Sequence, residues 1–331
     1  MEELLIWFTV LLGFLILSFI IMCIVLMKTT TPYPVVERAE EEKSFLNTNE
    51  GLRILFPSIE DPFSVLLSVI VPAYDEEKRL PPMLDECFEF LEARRRDSVR
   101  FTYEVIVVSD GSKDRTVEVA QRYTREYGAN QCRVLDLRTN RGKGGAVRLG
   151  MQSARGAVLL FADADGATKF SDLTKLEESL KELVKGDYLV EAERISNEVA
   201  LVCGSRAHLE QEAIATRSLF RTLLMHGFHL LVWLLCVRSV RDTQCGFKLL
   251  TREATRLCFR SLHVERWAFD VELLYLAERL NIPLSEVCVT WTEIDGSKIV
   301  PVWSWLQMGR DLFLIWLRYM IGAWKIHSKH K

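Results

Sequence analysis

The sequence lacks the arrangements that usually give cysteine a job. Eight cysteines stand at 23, 87, 132, 203, 236, 245, 258 and 288, with no Cys-x-x-Cys pair and no Cys/His metal spacing. Cysteine-based metal and dithiol motifs are therefore excluded, and the thiols read as reduced and mostly buried. No Asn-x-Ser/Thr acceptor occurs, in keeping with a body outside the secretory lumen. There is no excess of basic charge. Lys and Arg number 42 against 45 Asp and Glu, a formal net charge of −3. No nucleic acid partner is expected of such a surface. The glycine fingerprints for dinucleotides and triphosphates are missing too. The first strand-like run leads into PAYDEEKRLPP rather than G-x-G-x-x-G, and RGKGGAVRLG (141–150) fits neither that pattern nor G-x-x-x-x-G-K-[ST].

Charge is also missing from one long stretch. Leu4 to Met27 is 24 residues without a charged side chain, long enough to span a bilayer at about 1.5 Å per residue. A cleaved signal peptide would want a basic start, a shorter apolar core and a small-residue cleavage site. Glu2 and Glu3 precede this run and Met27-Lys28-Thr29 ends it, so residues 1–28 are expected to be a retained, single-pass anchor. Lys28, Arg38 and Lys43 follow the span and no Lys or Arg precedes it. The positive-inside rule then places the body in the cytosol.

Residues 29–64 carry Pro32, Pro34 and an acidic cluster, and read as a stem or linker. From residue 65 apolar runs alternate with helix-like segments. The runs are 66–72, 103–109, 132–137 and 156–162, with a further strand expected at 200–205. Helices are expected to about Arg96, from Asp114 as N-cap through Tyr127 to Gly128, over 143–154 and over 171–184, with 186–198 a loop. Near-continuous apolar strands between helices argue for an α/β fold, a mostly parallel sheet with helices on both faces, over 65–300. Two later segments are apolar but carry charge. Residues 218–237 contain Arg221, His226 and His229. Residues 301–325 contain four Trp, and the C-terminal segment as a whole is 301–331. Helices lying in a membrane interface account for both. A core helix for the first and a surface helix for the second remain alternatives, as does a true span or re-entrant hairpin for either.

In such sheets ligands bind outside the carboxyl ends of the strands. Three polar clusters fall there: Pro72 to Glu77, Asp110, and the pair Asp163 and Asp165. Two carboxylates at i and i+2 suit a hard divalent cation that also holds substrate phosphates. A solvated acidic turn is the plainer reading of Asp-x-Asp alone. The backbone amides of the glycine-rich run and Lys143 can sit beside phosphates, or that run can be a tight strand-to-helix turn.

Five segments come in a telling order: SVIVPAYDEEKRLP (68–81), VIVVSDGSKDRT (105–116), NRGKGGAVRLGM (140–151), FADADGAT (161–168) and GSRAH (204–208). Together they resemble inverting family-2 glycosyltransferases of GT-A fold. DTQCGFKLLTREA (242–254), ERWAFDVELLYLAERL (265–280) and WTEIDGSK (291–298) narrow the resemblance to the branch that glucosylates dolichyl phosphate. It runs over roughly residues 66 to 325. The resemblance implies a UDP-glucose donor, a dolichyl phosphate acceptor and Mg²⁺ or Mn²⁺, in the endoplasmic reticulum membrane and in service of N-glycan precursor assembly. It implies that Pro72, Tyr74, Glu76 and Asp110 line the nucleoside pocket, with Lys143 beside the donor. Asp163 and Asp165 would hold the metal against the diphosphate. Arg206, Arg217 and Arg221, with Ser205 and Lys248, would receive the acceptor phosphate. Arg217 and Arg221 can equally snorkel toward lipid headgroups.

The chain departs from the family in three places. Ser109 stands where a first Asp is frequent, Asp75 where Asn is common, and Ala167 where a polar side chain can complete a metal site. A phosphate monoester has its second pKa near 6 and arrives as an anion, so no general base is obligatory. Asp270 is accordingly read either as a base or, in preference, as the N-cap of the helix ELLYLAERL. A mannosyl-phosphate or other polyprenyl-phosphate glycosyltransferase is the nearest rival. A processive synthase would carry Q-x-x-R-W, and QMGRD (307–311) lacks the Trp. A membrane scaffold that keeps the fold without catalysis is the rival from another class. Oligomeric state is not legible.

Overall fold

The computed structural model describes residues 1–209, 219–294 and 303–327, of which 209, 219–226 and 303–306 are described by backbone alone. Helix α1 (Glu2–Thr29) has no buried residue. Its mean hydropathy of 3.1 and its length suffice to cross a membrane. The chain expected as a stem does not hang free. Its strands β1 (Ser44–Asn47) and β2 (Leu52–Leu55) form an antiparallel hairpin. Phe45 is buried under the Arg133 guanidinium. Glu42 is buried as well, and accepts hydrogen bonds from the Arg138 amide at 3.0 Å and the Arg141 guanidinium at 2.9 Å. A buried carboxylate needs such partners, and they fasten this segment to the body.

Strands and helices then alternate as β3 (Val65–Ala73), α2 (Leu80–Asp97), β4 (Tyr103–Ser109), α3 (Thr116–Tyr127), β5 (Cys132–Asp136), α4 (Lys143–Gln152) and β6 (Gly156–Ala162). The expected strands and helices of this half form, with ends within a few residues. The expected N-cap is corrected: Arg115 holds that position and no side chain caps α3, whereas Asp114, one residue earlier, accepts from the Thr116 amide at 2.9 Å and braces the turn that leads into the helix. Gly128 ends that helix at φ +85°, a conformation costly for other residues.

The second half holds α5 (Leu173–Val184), α6 (Ala192–Asn197), β7 (Leu201–Ser205), α7 (Leu219–Leu235), β8 (Phe247–Thr251), α8 (Arg252–Ser261), α9 (Phe269–Arg279), β9 (Leu284–Cys288) and α10 (Trp303–Met320). Helix α6 corrects the expectation of a plain loop over 186–198. Neither β8 nor β9 is foreseen by the sequence reading.

The main sheet has seven strands in the order β5-β4-β3-β6-β8-β7-β9. Strand β8 alone runs against its neighbours, pairing antiparallel with β6 and β7, and every other pairing is parallel. The mostly parallel expectation therefore holds. Side chains alternate into two cores. Ile70, Ile106, Leu159 and Leu250 meet α4, α8 and α9, whereas Val69, Val107, Leu160 and Leu249 meet α2, α3 and α5. Burial on both faces explains why the strands read as unbroken apolar runs.

Helix α7 exposes Leu230, Leu231, Trp233 and Leu234 while burying Val232. Helix α10 buries Met308, Leu312, Ile315 and Leu317. Trp324, counted among four interface tryptophans, is instead part of the core. It stacks on His263 at 4.2 Å under the Arg318 guanidinium.

Candidate active site

The polypeptide crosses from one side of β3 to the other between β5 and β6, so a crevice opens at the carboxyl ends of β3, β4 and β6. Strands β7 and β9 point the same way, and β8 starts at this edge. Every strand end that carries a candidate residue therefore faces one rim.

The loop after β3 is held by the loop after β4. Asp75 takes a left-handed φ of +50° and accepts from the Lys113 amide at 2.7 Å. Glu76 is buried, takes the Arg79 fork at 2.6 and 2.7 Å, and donates its amide to Thr116 at 2.8 Å. Pro72 lies in β3 opposite Val108, and Tyr74 follows at the rim, half-buried. Asp110 is 3% exposed. Its two carboxylate oxygens accept from the Arg141 amide at 2.7 Å and the Gly142 amide at 2.9 Å. Burial nevertheless pushes its carboxyl up to about 6. The carboxylate expected at uracil or ribose thus fastens the glycine-rich loop.

That loop owes its glycines to packing. A Cβ on Gly144 would stand 2.5 Å from the Phe269 side chain, and one on Gly142, already at φ +84°, 2.7 Å from the Glu265 carbonyl. The close approach delivers Lys143, the first residue of α4, to Asp163 at 2.6 Å. Asp163 and Asp165 flank a buried Ala164 just past β6. The Asp163 carboxylate lies flat on Gly246, where a Cβ would come within 2.0 Å of Oδ2. Asp165 accepts the Ala167 amide at 3.0 Å, and its carboxyl is raised by burial and by the neighbouring Asp163. Two carboxylates that repel each other in a partly dry rim fit a hard divalent cation. Among the described residues no third His, Cys, Asp or Glu joins them. Ala167 supplies only its backbone, so remaining ligands would come from the diphosphate and water.

Across the rim, Ser205 ends β7, buried, and accepts the Ala207 amide at 3.2 Å. Arg206 is gripped by Asp242 through Nε at 2.8 Å and Nη2 at 2.9 Å, and lies 5.5 Å from the Trp291 ring centre. Burial opposes its charge, but Asp242 more than compensates and raises the guanidinium above its ordinary value. Asp242, which sequence reasoning missed, is itself fixed by its amide donating to Glu286 at 2.9 Å. Its only signal was a place inside the DTQCGFK run. Arg217 lies outside the described residues, and so does the side chain of Arg221, whose backbone is in α7.

Lys248 corrects an expectation. It is fully buried, and its ammonium donates to Asp270 at 2.6 Å, the Cys245 carbonyl at 2.7 Å and the Thr243 carbonyl at 3.1 Å. All three protons are used beneath the site, and none is left for a substrate phosphate. Asp270 is corrected with it. It lies inside the first turn of α9, and no side chain caps that helix. Its carboxylate is committed to Lys248.

The comparisons bear on this arrangement. The family model of glycosyl transferase family 2 matches residues 68–255. The dolichyl-phosphate beta-glucosyltransferase of Drosophila melanogaster is 63% identical over 311 residues, 94% of this chain and 92% of that protein. Its Homo sapiens counterpart is 56% identical over 314 residues, 95% and 94% of the two chains. That of Saccharomyces cerevisiae is 35% identical over 333 residues, covering 98% and 96%. With the GT-A arrangement of strands and an Asp-x-Asp rim already in place, the chain belongs to glycosyl transferase family 2 and, within it, to the dolichyl-phosphate beta-glucosyltransferases.

Proposed function

We propose that the protein transfers glucose from UDP-glucose to dolichyl phosphate with inversion, giving dolichyl β-D-glucosyl phosphate and UDP. An acceptor phosphate oxygen attacks the anomeric carbon, the bond from that carbon to the UDP oxygen breaks, and its electron pair leaves on the β-phosphate. The observation that carries the reading is one rim with an acidic pair and Lys143 on one side and Arg206 on the other.

Asp163 and Asp165 would hold Mg²⁺ or Mn²⁺, which neutralises charge on the departing diphosphate when bound. Lys143 is poised to exchange Asp163 for a donor phosphate oxygen. Tyr74, Pro72 and the loop pinned by Glu76 and Asp110 would form the wall for the nucleoside. Arg206 would orient the acceptor phosphate, with Asp242 setting its angle. Ser205 would shape that corner, and Arg217 and Arg221 would extend the basic surface toward the lipid. Positioning and charge then do the chemistry. Lys248 pairs with the carboxylate expected as a possible base, in keeping with an acceptor that arrives ionised.

The reading extends to place and layout. Residues 1–28 would anchor the chain in the endoplasmic reticulum membrane, 29–64 would mount the 65–300 catalytic body on its cytosolic face, and α7 with 301–331 would touch the bilayer. The lipid product would serve N-glycan precursor assembly. The deciding experiment gives purified full-length protein dolichyl phosphate with UDP-glucose or GDP-mannose, with and without Mg²⁺ or Mn²⁺, and identifies the lipid by mass. Glucosyl lipid formed only with metal is expected. A mannosyl lipid, or no lipid product from a folded protein, overturns the reading.

A further inference from the structure

A cavity of about 440 Å³ lies away from the catalytic rim, between the segment that follows the anchor, the carboxyl end of α4 and the outer face of α8. Gln152 borders it, nine residues along α4 from Lys143, roughly 13 Å of helix. The donor and acceptor chemistry leaves this cavity without a role. We propose that it binds the headgroup of an anionic membrane phospholipid.

Its charge is lopsided. Arg38, Lys43, Arg256 and Arg260 line it against one carboxylate, Glu60. Glu60 is divided between Arg256 at 2.9 Å and Arg260 at 2.5 Å. Lys43 and Arg256 have further partners outside the lining, Glu40 at 2.6 Å and Glu253 at 2.7 Å. Arg38 is the least compensated. Its Nη2 donates to the Glu42 carbonyl at 2.5 Å, yet its Nε is buried with no hydrogen-bond partner. Burial and the nearby Arg141 hold its guanidinium below the ordinary value, against the pull of Glu42. Within the lining itself the cations outnumber the carboxylates four to one, and a phosphate would offset that excess. Phe56, Ile59, Met151 and Phe259 give the same cavity an apolar wall, suited to a glycerol backbone and the first methylenes of an acyl chain.

Position selects a lipid over a soluble anion. The anchor helix ends at Thr29. Three residues on, the Pro32 carbonyl accepts the Lys325 amide at 2.8 Å, and Tyr33 stacks on His327 at 4.1 Å. The chain is therefore bound to the body within roughly 10 Å of contour from the helix end. Arg38 is six residues further, and Arg260 is near enough to His327 to help lower its pKa. Basic side chains held near a bilayer surface each favour anionic lipid by about 1 kcal/mol, close to fivefold.

The test titrates the full-length protein in detergent with dihexanoyl phosphatidic acid, dihexanoyl phosphatidylcholine and inorganic phosphate, reading bound ligand by native mass spectrometry. Phosphatidic acid is expected to bind about tenfold tighter than either of the others. Arg260→Glu, at a half-exposed position, and Arg38→Gln should each cut that preference about fivefold, while Arg206→Gln at the catalytic rim should leave it intact. Three results would overturn the proposal: equal binding of the two lipids, a preference that survives both cavity variants, or displacement of the lipid by equimolar phosphate.

Discussion

Replacing Asp270 by Asn separates a structural carboxylate from a catalytic base. Asp270 is 3% exposed and Lys248 is fully buried. The ammonium spends all three protons on Asp270 and two carbonyls. An amide at 270 leaves an acceptor oxygen but removes the counter-charge. Removing one member of a buried pair costs about 3–5 kcal/mol. Because the hydrogen bond survives, the low end applies, about 3 kcal/mol. For a body of this size each kcal/mol lowers Tm by about 2–4 °C, so a drop of about 6–12 °C is expected. Lys248→Met combined with Asp270→Leu removes both charges and should be far less destabilised than the sum of those two single variants. The assay is thermal unfolding of the detergent-solubilised full chain, with glucosyl transfer measured well below the transition. Folded Asp270→Asn should keep activity within about tenfold of the parent. A general base contributes about 10²–10⁴. An Asp270→Asn protein with parental Tm and activity lost by that factor would refute the pairing argument and restore the base.

Asp165→Asn should reduce glucosyl transfer by at least about 10²–10³ without lowering Tm, because burial and Asp163 already disfavour its charge. Steady-state rates and melting on one preparation check both halves. Gly246→Ala should raise the donor KM and weaken Mn²⁺ binding, since its Cβ would displace the Asp163 carboxylate. Asp242→Asn loosens the Arg206 fork and should lower kcat/KM for dolichyl phosphate about 10²-fold, leaving donor binding, followed by UDP titration, nearly unchanged. Asp110 gives a pH signature. Its folded pKa, about 6, lies above the ordinary 3.8, so its contribution to stability is greatest below pH 3.8 and is lost as pH rises through 6. The loss is at most about 3 kcal/mol. The Tm difference between parent and Asp110→Asn should therefore shrink from pH 4 to pH 7, and a flat difference would contradict it.

Strands β3 to β6 were legible because each is buried on both faces, and so spells an apolar run bounded by turn residues. Asp163 and Asp165 were legible because the carboxyl end of such a strand is where ligands bind. Strands β8 and β9 escaped notice. Phe247–Thr251 includes the buried Lys248, which breaks the apolar pattern, and β9 is only partly buried. The paired roles were hidden for a different reason. Lys248 with Asp270, Arg206 with Asp242, and Glu42 with Arg141 are 22, 36 and 99 residues apart. A single sequence gives no sign of which distant charges meet. Trp324 misled by composition: four tryptophans suggested an interface, but this one closes the core over His263.

Under the proposed anchoring by α1, the clasp that follows this helix bears on geometry at the membrane. Glu42 holds the guanidinium of Arg141, and the amide of that same arginine holds Asp110 at the catalytic rim. Pro32 and Tyr33 are fastened to the opposite end of the chain. A freely jointed stem would let the rim wander over tens of ångströms above the bilayer. A clasped one sets a fixed standoff. Under the proposed function a lipid acceptor would then meet a rim held at one height, and the search would reduce to lateral diffusion in a plane.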